Sequence, residues 1–194
     1  MKKVVTIVGA RPQFIKAAVL SRIISEKRQL DEILVHTGQH FDANMSAVFF
    51  NEMKIPKPKY NLGINEASHA LMTGKMMEGV EKVLIDEKPD AVIVYGDTNS
   101  TLAGALAAKK ATLPLIHIEA GLRSFNMQMP EEVNRVVTDS ISNLLLCPTQ
   151  QAVENLKKEG HPNHYSTIAL TGDIMKDATV FYGKLAERPF NNHQ

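Results

Sequence analysis

The sequence predicts an α/β domain of the doubly wound kind, a parallel sheet with helices on both faces. Three observations carry that prediction. Six short apolar runs rich in Val, Ile and Leu recur along the chain with little polar alternation, as strands buried on both faces require. Segments with helical apolar spacing lie between them. The two kinds alternate almost throughout, the pattern of βα units joined by right-handed crossovers.

The first strand is Lys3–Val8, and a helix over Phe14–Lys27 follows it. Strand Glu32–His36 then precedes helix Asp42–Met53. Lys54–Leu62, with Pro56 and Pro58, breaks the rhythm and reads as a surface connection. Helix His69–Glu87 leads to strand Ala91–Tyr95, helix Thr98–Ala111 to strand Leu115–Ile118, and helix Pro130–Asn143 to strand Leu144–Cys147. Helix Gln150–Glu159 and strand Thr167–Leu170 close the alternation. Beyond it lie Thr171-Gly172-Asp173, a helix over Met175–Glu187 and a tail with no strand to feed. Residues 1–170 are therefore expected to form one domain, and residues 171–194 the hinge and start of another that is missing.

Composition narrows the function classes. The 194 residues are 44% hydrophobic and 22% charged, ordinary for a globular protein. Twenty-two Lys and Arg nearly balance 21 Asp and Glu, so no basic footprint for nucleic acid or an anionic membrane is present. No apolar run approaches the roughly 20 residues of a membrane span. The N-terminal stretch through Gly9 lacks a small-residue cleavage site and fits a first buried strand better than a signal peptide. A single cysteine, Cys147, excludes an internal disulfide and fits a reducing, cytoplasmic setting. It lies in an apolar run and reads as a buried structural thiol.

Carboxylates at strand ends are the main chemical signal. In an open parallel sheet, ligands sit outside the carboxyl ends of the strands. Gly96-Asp97-Thr98 and His117-Ile118-Glu119-Ala120-Gly121-Leu122-Arg123 each end a strand there. A carboxylate at that edge costs desolvation unless it has a partner or a task. Asp97 reads equally as an N-cap of the following helix and as a catalytic acid. His117 and Glu119, two apart, are expected on one side of the sheet. Glu119 suits acid/base work in a cleft, or a structural pair with Arg123. Pro130-Glu131-Glu132 is good helix-start chemistry, with Glu131 and Arg135 spaced as an i,i+4 surface pair. Arg11 and Lys16, around the first helix start, read either as an anion site or as a loop Arg with a solvated Lys. Neither a dinucleotide fingerprint nor a P-loop is present. The histidines lack zinc-ligand spacing, so no metal site is expected.

Together these segments resemble the N-terminal domain of the non-hydrolysing UDP-N-acetylglucosamine 2-epimerases. The matching stretches are Val8-Gly9-Ala10-Arg11-Pro12 with Lys16, Thr37-Gly38-Gln39-His40, Gly96-Asp97-Thr98, His117 to Arg123, Pro130-Glu131-Glu132 with Asn134-Arg135, and Thr171-Gly172-Asp173. They run in order over nearly the whole chain, and the ordered set favours the functional readings of Arg11, Asp97, Glu119 and Glu131. The resemblance implies a Rossmann-like sheet forming one half of a two-domain GT-B-like architecture. It implies C2 epimerisation of UDP-GlcNAc to UDP-ManNAc, for cell-envelope polysaccharide synthesis. UDP leaves to give a 2-acetamidoglucal and then adds back, with no cofactor. By position it makes Asp97, Glu119 and Glu131 catalytic. Arg11, Lys16, Gln39, His40, Arg123 and Arg135 become substrate-binding residues, and the protein a homodimer.

Departures from the family pattern qualify this. Members are nearly twice as long, and their second domain supplies most of the UDP contacts and a catalytic histidine. The isolated chain is therefore expected to be inactive. Ser124–Met129 is shorter than in the GlcNAc enzymes and closer to relatives acting on UDP-2,3-diacetamido-glucuronic acid or 6-deoxy-N-acetylhexosamine nucleotides. Phe41-Asp42 and Ser68 replace residues that members regulated by a second UDP-GlcNAc carry, so that regulation is not expected. A GT-B glycosyltransferase acceptor domain, a hydrolysing epimerase and a non-catalytic nucleotide-sugar binding domain are the competing readings.

Overall fold

A computed structural model describes residues 1–38, 50 and 56–186. Its centre is one parallel sheet of seven strands. The described elements are β1 (Lys2–Val8), α1 (Arg11–Lys27), β2 (Leu30–His36), β3 (Tyr60–Asn61), α2 (His69–Glu87), β4 (Ala91–Tyr95), α3 (Asn99–Lys110), β5 (Leu115–Ile118), α4 (Pro130–Ile141), β6 (Leu144–Cys147), α5 (Gln150–Lys158), β7 (Thr167–Leu170) and α6 (Ile174–Ala186). The spatial order is β3-β2-β1-β4-β5-β6-β7. That order reverses direction between β1 and β4, and the crevice beyond their carboxyl ends is where such sheets take ligands.

Side-chain alternation along the strands builds a core on each face. Val5 and Ile7 of β1 join Val92 and Val94 of β4 under Val80, Val83 and Leu84 of α2 and the alanines of α3. Val4 and Val8 join Ile93, Tyr95 and Ile118 under Phe14, Ala17 and Ala18 of α1. A smaller cluster, Leu145 and Cys147 with Ala152, Val153 and Leu156, seats α5 on β6. Burial pushes the Cys147 thiol up to about 11, so it is a core residue and not a nucleophile.

Several boundaries differ from expectation. The segment read as a surface connection ends in a strand. Tyr60 and Asn61 pair with Val35 and His36, and Leu62 N–H donates to the His36 carbonyl at 2.8 Å. Two residues are too few for a periodicity signal, and the prolines upstream mask it. Helix α1 begins at Arg11, three residues early, because Pro12 fits the first turn. The segment expected as helix Asp42–Met53 lies outside the described residues apart from Phe50, which packs on Phe14. The helix predicted near the C-terminus is α6, and it folds back on α1. The Arg22 guanidinium of α1 lies 3.4 Å from the centre of the Phe181 ring.

Candidate functional site at the switch point

Gln13 ties the two central strand ends together. Its Oε1 accepts from the N–H groups of Gly9 (2.8 Å) and Ala10 (3.1 Å). Its Nε2 reaches the Tyr95 carbonyl at 2.7 Å and the hydroxyls of Thr98 and Thr101. This is the glutamine half of a capping box, turned to join β1, β4 and α3. Gly9 sits where a Cβ would collide with the hydroxyl of Ser100 and with its Cβ at 2.8 Å. Only glycine allows α3 to approach β1 this closely.

Asp97 leaves β4 on this rim. It does not cap α3, since Thr98 is the N-cap and accepts from Thr101 N–H at 3.3 Å. The Asp97 carboxylate instead forms an ion pair with Arg135 of α4. Asn134 Nδ2 donates to the Asp97 carbonyl at 2.8 Å. The other arm of Arg135 holds Glu132 at 2.5 Å, so the expected Glu131–Arg135 pair does not form. Glu132 is almost fully buried. Burial pushes its pKa up, but the N–H groups of Ser124 (3.0 Å) and Phe125 (2.8 Å) and Arg135 bring it below the usual range. It therefore anchors the loop before α4.

Glu119 lies one residue past β5 with φ 71°, a left-handed conformation that a side chain rarely adopts. Two hydrogen bonds to the Leu146 carbonyl, from Glu119 N–H and Ala120 N–H at 3.1 Å each, hold it there. The twist breaks strand alternation, so His117 and Glu119 do not share a side as expected. His117 turns inward towards α4. The Glu119 carboxylate swings to Lys16 of α1, at 2.5 Å with both side chains about seven-eighths buried. Its Oε2 would lie 3.2 Å from a Cβ at Gly96, which sets Glu119 beside the Gly96-Asp97 turn.

The remaining predicted residues divide. Arg11 is exposed at the head of α1. Glu131 is exposed in the first turn of α4, four residues before Arg135 and so on its face. Among the described residues its carboxylate has no hydrogen bond or ion pair. Gln39 and His40 lie outside the described residues. Arg123 is a correction: its guanidinium is 1% exposed and bonds Asp139 at 2.7 Å and Glu159 at 2.6 Å. It does not pair with Glu119, because Asp139 and Glu159 occupy both arms of its guanidinium. Beside the rim a hollow of about 440 Å³ is lined by His69, Asn99, Pro130, Val133 and Asn134 among others. Among the described residues, no three His, Cys, Asp or Glu side chains are grouped to hold a metal, and no helix is long and apolar enough to cross a membrane.

Residues 22–194 match the family model for UDP-N-acetylglucosamine 2-epimerase. The chain belongs to the UDP-N-acetylglucosamine 2-epimerase family. It is 57% identical over 187 residues to the UDP-2,3-diacetamido-2,3-dideoxy-D-glucuronate 2-epimerase of Pseudomonas aeruginosa, covering 96% of this chain and 53% of that protein. It is 47% identical over 189 residues to the UDP-N-acetylglucosamine 2-epimerase of Methanocaldococcus jannaschii, covering 97% and 51%. The crystal structure of the M. jannaschii enzyme in complex with UDP-GlcNAc and UDP superposes with a TM-score of 0.91 at 46% identity, over 98% of this chain and 52% of that one. The chain spans about half the length of the curated relatives it matches.

Within this epimerase-family domain, sequence reasoning named Glu132 and Asn134 only as parts of a motif, without a role, and did not single out Gln13 or Asp139. Gln13 carried a signal, a glutamine at the third position of a helix. Asp139 carried none, since a mid-helix Asp reads as solvated until the fold buries it.

Proposed function

We propose that this chain is the acid/base half of a UDP-N-acetylhexosamine 2-epimerase. The observation that carries the reading is the pairing at the rim, where Asp97 and Glu119 leave adjacent parallel strands and each meets one cation. Arg135 and Lys16 hold the two carboxylates in place by ion pairs, at the rim where a base for C2 of the sugar would stand. Glu131, exposed and unpartnered on the face of α4 that also carries Arg135, is suited to serve the opposite face of the sugar.

The reaction balances without a cofactor. A carboxylate takes the C2 proton, the C1=C2 bond forms and the C1–O bond to UDP breaks, giving a 2-acetamidoglucal. UDP oxygen then returns to C1 as a proton is delivered to C2 from the other face. Lys16, beside Glu119 at the rim, and Arg11, at the head of α1, are cations placed to face the leaving diphosphate. A transferase needs one base at most, which makes the additional rim carboxylates hard to explain.

The substrate has two candidates. UDP-GlcNAc follows from the family. UDP-2,3-diacetamido-glucuronate is favoured by the 57% identity to the P. aeruginosa enzyme and by the short Ser124–Met129 loop. In the whole protein, residues after 170 act as the hinge to a second domain that contacts UDP, and the protein works as a cytoplasmic homodimer.

Turnover in deuterium oxide is the test. The full-length protein should place deuterium at C2 of one of these two nucleotide sugars. Epimer formation without deuterium, or transfer to an acceptor, would overturn the reading. Light scattering of the same preparation reads the dimer.

A further inference from the structure

We propose that His117 and Asp139 form a buried positioning pair, with a proton on both ring nitrogens of His117, that sets the relative placement of Asp97 and Glu119. Its effect on turnover rests on the epimerase reading above; its protonation does not. Both side chains are fully buried. Nδ1 of His117 lies 2.6 Å from Asp139 Oδ1, and Nε2 lies 2.7 Å from the Gly96 carbonyl.

A carbonyl oxygen can only accept, so Nε2 carries a proton. On the other side, a proton must sit between Nδ1 and the Asp139 carboxylate. Asp139 also accepts from Arg123 Nη1 at 2.7 Å and from Gly121 N–H at 3.0 Å. The Arg123 guanidinium, itself buried against Asp139, favours the ionised carboxylate over the neutral acid. An acid so held keeps its charge, and the proton belongs to His117. Arg123 also pairs with Glu159, which reaches the surface, so each buried charge of the array faces an opposite one.

The pair joins the two rim turns. His117 grips Gly96, the residue before Asp97. Asp139 grips Gly121, two residues past Glu119. A neutral histidine filling the core would need only one of its two bonds. An imidazolium makes both, so the β4–α3 turn and the β5–α4 loop are held to one another through two side chains. Neither residue reaches the rim, so both act through Asp97 and Glu119.

The test uses the full-length protein with ¹⁵N-labelled histidine. Near neutral pH, both ring nitrogens of His117 should give N–H signals; an unprotonated nitrogen would overturn the proposal. Asp139→Asn preserves volume and one acceptor for Gly121, and removes the charge. It should lose one His117 N–H signal and lower kcat by about 10- to 100-fold, with KM changed by less than about threefold. A folded Asp139→Asn protein with unchanged kcat would also overturn it. If Asp139→Asn does not fold, the wild-type spectrum alone decides. A wild-type protein that turns over neither UDP-GlcNAc nor UDP-2,3-diacetamido-glucuronate fails the epimerase reading instead, and the spectrum still decides the protonation.

Discussion

At the scale of single residues, the rim depends on where two backbone turns aim their carboxylates. Glu119 pays strain of about 1–3 kcal/mol to leave strand alternation and meet Lys16. On the epimerase reading, that orientation serves a carboxylate that handles a proton. In the full-length protein, Glu119→Gln should keep the shape and lower C2 deuterium incorporation by about 10²- to 10⁴-fold. Lys16→Met should lower it too, with a larger rise in KM, because the proposed diphosphate contact would be lost along with the ion pair. Steady-state kinetics with deuterium readout check both. The acidic residues themselves were legible in the sequence as strand-end carboxylates. Their partners were not, since Lys16 is 103 residues from Glu119 and Arg135 is 38 from Asp97. Spacing instead suggested Arg123 for Glu119 and Glu131 for Arg135, because local neighbours are the only ones a linear reading can offer.

At the scale of elements, the sheet is tied at both ends of its strands. The switch point relies on the contact of α3 with β1 at Gly9. Gly9→Ala should destabilise by about 1–3 kcal/mol through overpacking against Ser100 and Thr37, read as a lowered denaturation midpoint. At the opposite edge, Glu87 ends α2 and binds Lys59 and the Tyr60 hydroxyl at 2.6 Å each and Lys3 at 3.2 Å. Hydrogen bonds from Lys59, Tyr60 and Lys3 hold its carboxyl at about 2, below an ordinary 4.5. A depressed folded-state value means the unfolded chain takes up the proton first. The stabilisation is therefore present above about pH 4.5 and lost as pH falls through about 2. Urea denaturation of the wild type should weaken over that window, and Glu87→Gln should flatten the slope. This network also explains β3, a strand whose Tyr60 is fastened to α2 from outside the ladder.

For the whole molecule, the chain spans about half the length of the relatives it matches, and on the epimerase reading this rim is one wall of a cleft. The rim carries the carboxylates of Asp97 and Glu119 with Arg135 and Lys16 beside them, and the proposed second domain would be needed to hold the uridine and exclude water from the eliminated sugar. Purified residues 1–194 should therefore show no epimerisation of UDP-GlcNAc, while the full-length protein is active. Measurable turnover by the 194-residue chain would refute this. The return of α6 onto α1, with Arg22 against Phe181, gives the chain after β7 a fixed direction as it leaves the sheet.

The sequence by itself determined the βα alternation, the strand-end positions of Asp97 and Glu119, and the ordered motifs that define the family. Each of these is set by periodicity or by residues adjacent in the chain. Only the tertiary structure decided the ion pairs of the rim, the removal of Arg123 to a buried array and the joining of the two rim turns by His117 and Asp139. Those depend on which helices the sheet order brings together, and on a left-handed turn that no side-chain pattern announces.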